Sequence, residues 1–76
     1  MESIPPFEVE RLLDCVDRAV RLARGGALAA GHAELEAGFR RAMRDRSRGS
    51  VWAPVLVHRY RVALDSYCER YGVRLS

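Results

Sequence analysis

The sequence contains no lysine, asparagine, glutamine or threonine, and its 76 residues include only two cysteines, three prolines and six glycines. Each shortage excludes something. Without lysine there is no candidate for the cation of a phosphate-binding loop, so that nucleotide chemistry is excluded on composition alone. Cys15 and Cys68 are too isolated for a zinc ribbon and too few for a disulfide framework, and both are expected to be free, half-buried thiols. With hydrophobic residues at 49% and charged ones at 30%, the chain falls outside the disordered and low-complexity classes. Long apolar runs are missing too. No stretch approaches the roughly 18 residues of a membrane span, and the opening MESIPPFEVE carries acids where a secretory signal carries basic residues. A cytoplasmic protein with no membrane partner is expected.

What is present is a single small domain with a helical rhythm. At this length the chain is near the size below which a core barely suffices, so self-association or a partner would help it. Pro5 and Pro6 followed by acids mark a helix entry, because proline fits the first turn and negative charge suits the positive end of the helix dipole. The first helix is predicted over residues 6–24. Val9, Leu12, Leu13, Val16, Ala19, Val20 and Ala23 form its apolar face, with Glu8, Arg11, Asp14, Asp17, Arg18 and Arg21 mostly opposite. Asp14 with Arg18 and Asp17 with Arg21 are acid-first pairs at i,i+4 spacing. Gly25 and Gly26 close the helix.

A second helix is predicted over 28–46, with Leu28, Leu35, Phe39 and Met43 on one side and Gly31, Ala33, Gly38 and Ala42 as small surfaces beside them. Each interior glycine costs a helix about 0.5–1 kcal/mol relative to alanine. Close approach of a neighbouring helix is the economical reason for keeping two. The third helix is predicted over 51–71, with Ser50 as N-cap, Pro54 in the first turn and Gly72 as the stop. Trp52, Leu56, Tyr60, Ala63, Leu64 and Tyr67 make its broad core arc. Val51, Val55 and Val62 form a smaller second stripe, so this helix touches two things, and the second is either another helix of the domain or a partner chain. The expected fold is all-α, a three-helix bundle.

From the first helix into the second, Cys15, Ala19, Leu22, Gly26, Leu28, Gly31, Leu35 and Gly38 follow the large–small alternation of a tetratricopeptide repeat, and residues 15–38 resemble one such repeat. Cys15, Arg18 and Met43 depart from that pattern, standing where the family has a bulky aromatic, an apolar residue and a proline. The resemblance implies a helical hairpin packed by a third helix, and a function in binding another protein.

Chemistry is thinly represented. His32 and His58 are the only histidines, no nucleophile–base–acid set can be assigned from spacing, and Cys15, His32, His58 and Cys68 lack zinc-ligand spacing. No catalytic residue, metal or cofactor is expected. The segment RRAMRDRSRGS concentrates Arg40, Arg41, Arg44, Arg46 and Arg48 at the end of the second helix and the turn after it. Those arginines are the candidate phosphate contacts of an alternative reading, a weakly basic nucleic-acid-binding accessory protein. Against it, the cluster holds Asp45 and no aromatic, net charge is only +3 with every basic residue an arginine, and cations complement a helix C-terminus anyway. The preferred reading is a non-enzymatic interaction or adaptor module that binds another protein or a second copy of itself, as a homodimer. Val51, Val55 and Val62 are the candidate docking residues.

Overall fold

The structure, a computed structural model, describes residues 4–73. These residues form three α-helices and no strand: α1 is Pro6–Arg24, α2 is Leu28–Ser47 and α3 is Ala53–Tyr71. Short turns make α1 antiparallel to α2 and α2 antiparallel to α3, so α1 and α3 run in the same direction. The fold is the expected three-helix bundle, but α2 holds it together. It packs extensively on both outer helices, which meet each other only lightly. The domain is accordingly broader than it is thick, 39 × 25 × 16 Å in Cα extent.

Both turns use the same device. Gly26 adopts φ 89° and Gly49 φ 84°, left-handed values that glycine accepts without strain. Behind each, two backbone N–H groups turn back to helix carbonyls: Ala27 to Leu22 at 2.8 Å and Gly26 to Ala23 at 3.0 Å, then Ser50 to Asp45 at 3.1 Å and Gly49 to Arg46 at 3.0 Å. This is the glycine-centred helix stop in which the 6→1 and 5→2 bonds satisfy the last carbonyls. It also corrects the reading of Ser50. That residue terminates α2 and does not cap α3, which begins at Ala53 with Trp52 in the N-cap position and no side-chain cap. Val51 therefore sits in the turn, off the helical stripe it was expected to join.

The two α2 glycines have the reason their spacing asked for. A Cβ on Gly31 would collide with the Tyr67 hydroxyl and lie 2.7 Å from the Ala19 carbonyl oxygen, and one on Gly38 would collide with the Tyr60 ring. The missing side chains thus let α1 approach α2 at one point and seat two tyrosines of α3 against α2. Tyr67 donates a 2.6 Å hydrogen bond to the Leu28 carbonyl across that seam. Tyr60, Leu35 and Leu56 are the largest fully buried side chains.

On α1 the expected core face is displaced around the helix. The buried line is Glu8, Cys15, Ala19 and Ala23, whereas Val9 and Leu13 are 40% and 61% exposed. The apolar arc of α1 is wider than one seam with α2 can cover, and the bulkier part of it is left outside. Arg18 correspondingly reaches Glu34 of α2 at 3.6 Å and not Asp14, while Asp17 and Arg21 form the expected pair at 2.9 Å.

Candidate functional site

Where α1 and α3 diverge, a cleft of about 480 Å³ opens between them, lined by Leu12, Leu13, Val16, Val55, His58, Arg59, Val62 and Ala63. Its continuation past Val16 and Ala63 is lined by Val20, Ser66 and Arg70, with Leu35 of α2 as the floor. The helical repeat explains the walls. Leu12, Leu13, Val16 and Val20 fall on one side of α1, and Val55, Arg59, Val62 and Ser66 recur at three- and four-residue steps on α3. The cleft is mostly apolar and open to solvent. Leu13, Val55 and Val62 are each between 45% and 61% exposed.

Two of the three candidate docking residues, Val55 and Val62, are thus brought together with apolar residues of α1. Val51 is also exposed but does not line the cleft. Leu13 is the residue that sequence reasoning assigned to the core. The available signal was the width of the α1 apolar arc, which exceeds what one neighbouring helix can cover.

The arginine cluster is divided by the fold. Arg41 donates to Glu8 at 3.3 Å, and that carboxylate is almost fully buried beside Arg11 at 3.5 Å. Arg40 pairs with Glu36 one turn back at 2.9 Å. Arg48 joins Arg41 and Arg11 around a separate hollow that also holds Glu8 and Asp45, so its cations face carboxylates of the same domain. Arg44 and Arg46 are exposed at the end of α2 without an ion pair among the described residues. Of the five candidate phosphate contacts, Arg41 is largely covered and held by Glu8, whereas Arg40, Arg44, Arg46 and Arg48 are exposed.

The remaining reactive groups are dispersed. Cys15 is buried and donates its thiol to the Glu34 carbonyl at 3.2 Å. Burial, reinforced by the nearby Glu34 carboxylate and opposed by Arg18, raises the thiol above its ordinary 9.0. Burial likewise raises Tyr60, with Arg41 pulling the other way, and raises Tyr67, next to Tyr71. All three shifts favour the protonated thiol or phenol. His32 stands by the Tyr67 ring with its Nε2 buried and unpartnered, and His58 is exposed at the cleft. Among the described residues no group of three or more His, Cys, Asp or Glu side chains is placed to hold a metal, and no helix is long and apolar enough to cross a membrane.

Comparison with protein-family models, curated proteins and solved structures found no match. The functional reading rests on the residues themselves.

Proposed function

We propose that this domain is a non-enzymatic protein-interaction module whose α1/α3 cleft receives a helical surface with an apolar stripe. One observation carries the reading: bulky aliphatic side chains from two helices, Leu13 on one wall and Val55 and Val62 on the other, stand in solvent around a common groove. A folded chain this small has little apolar surface to spare, and a contiguous apolar groove rimmed by charge is the usual mark of a docking site. The groove between two parallel helices has the shape that an amphipathic helix fills through residues at i, i+3, i+4 and i+7. The resemblance of residues 15–38 to a tetratricopeptide repeat, a protein-binding unit, supports the same class of function.

The test is a photoreactive side chain at position 62 in the cell, with position 46, at the C-terminal end of α2 and outside the cleft lining, as control. A discrete adduct at 62 alone is expected. Binding reconstituted from the purified partners should then weaken at least tenfold for Val55→Asp, with the far-ultraviolet circular dichroism unchanged. Equal adducts at both positions, or loss of helicity in Val55→Asp, would overturn the reading, the latter because it would make the stripe part of the core.

A further inference from the structure

We infer that the surface received by the cleft is the same cleft of a second copy, giving a twofold dimer in which α1 of each chain lies against α3 of the other. This rests on the docking reading above and adds its occupant. Charge is what selects it. On α1 the exposed Leu13 is flanked one turn away on either side by the carboxylates Glu10 and Asp17, which the helical repeat places on the same flank. On α3 the guanidinium of Arg59 lines the cleft, one turn from both Val55 and Val62. Neither Glu10 nor Arg59 has an ion pair among the described residues. Asp17 is already paired with Arg21, so one wall carries the unpaired carboxylate of Glu10 and the other the unpaired guanidinium of Arg59.

Two twofold arrangements bring the open faces together. An axis across the helices sets α1 on α1 and α3 on α3, so Glu10 of one copy does not meet Arg59 of the other. An axis along the helices sets α1 over α3, and because that axis preserves height, side chains level in one cleft stay level in the pair. Leu13 of one copy then packs by Val55 and Val62 of the other, and Glu10 faces Arg59 in two equivalent contacts, the self-complementarity that a twofold interface requires. The broad side of the whole domain, 39 × 25 Å between Cα extremes, is of the order of the roughly 800 Å² per partner that a stable dimer buries.

Charge reversal tests the arrangement on the purified 76-residue chain, by sedimentation or light scattering from roughly 1 µM to 1 mM, the range in which modest interfaces associate. Wild type is expected to pass from monomer to dimer. Glu10→Arg and Arg59→Glu should each weaken self-association about tenfold or more, since each homodimer then opposes like charges twice. An equimolar mixture of the two variants should restore it, because the mixed pair regains both opposite-charge contacts, and the double variant should behave as wild type. A wild type that stays monomeric throughout overturns the inference, and so does a dimer that the single variants leave unchanged or that mixing does not rescue. A wild type monomeric in isolation, together with a position-62 adduct to a different protein, would remove the second copy and leave the docking reading in place. No adduct at 62 would remove both.

Discussion

Replacing Arg41 with alanine is expected to destabilise the domain by about 2–4 kcal/mol, a large part of the roughly 4–11 kcal/mol that a domain of this size possesses. The loss does not come from the ion pair's net worth, which desolvation largely cancels. It comes from what the substitution leaves behind: the Glu8 side chain is only 4% exposed and keeps only Arg11, itself half in solvent, as a counter-charge. A buried carboxylate left with one half-solvated counter-charge at the α1/α2 seam is the penalty. Chemical denaturation of Arg41→Ala beside Arg44→Ala checks this, since Arg44 is exposed and its removal should change stability by no more than about 0.5 kcal/mol. Equal effects would mean that Glu8 is solvated. The paired change Glu8→Leu with Arg41→Met should recover most of the loss, as an apolar pair of similar volume replaces the buried charges.

Gly31→Ala is expected to be the most damaging of the glycine-to-alanine changes. Alanine favours a helix over glycine by roughly 1 kcal/mol, but the new methyl meets the Tyr67 hydroxyl and a backbone carbonyl that cannot swing away. Overpacking of that kind costs about 1–3 kcal/mol and separates the helices besides. In a domain of this size a net loss of 1–2 kcal/mol lowers the melting temperature by on the order of 10 °C. Gly25→Ala serves as control, because its φ of −82° suits any residue and a Cβ there finds its nearest atoms at an ordinary 3.6 Å. Tyr67→Phe in the Gly31→Ala background should cost less than in the wild type, because the hydroxyl it removes is the atom the methyl strikes. A Gly31→Ala protein more stable than wild type would show that the helices do not meet there.

Periodicity makes the three helices legible, and the two α2 glycines announce a close approach before any coordinate is seen. The limits of α1 and α2 follow from Pro6, Gly26 and Gly49. What the pattern hides is non-local. Glu8 reads as a solvent residue, yet it lies in helical register with Cys15, Ala19 and Ala23, and only the arrival of Arg41 from α2 makes its burial tolerable. Leu13 reads as core because an apolar residue on an apolar arc carries no sign of which part of the arc a neighbour covers. Ser50 has the chemistry of an N-cap, but its backbone N–H is committed to ending α2, and the turn needs two more residues before α3 can start. For the candidate site, the Val55 and Val62 wall was visible as a surplus stripe. The facing wall was not, because it depends on how far α1 stands from α3. The arginine cluster reads as uniform in the sequence, but Arg41 and Arg40 are engaged by Glu8 and Glu36, partners that its spacing alone shows only for Arg40.

The central claim is that α2 holds two outer helices that do not close on each other, leaving apolar side chains uncovered in the isolated chain. Methyl resonances recorded with a soluble paramagnetic agent, in dilute and concentrated protein, test it most directly. The methyls of Leu13, Val55 and Val62 should broaden strongly in dilute solution and become protected as concentration rises, while those of Leu35 and Leu56 stay protected throughout. Cleft methyls already protected in the dilute monomer would mean that α1 and α3 close over the groove, and the account would fail.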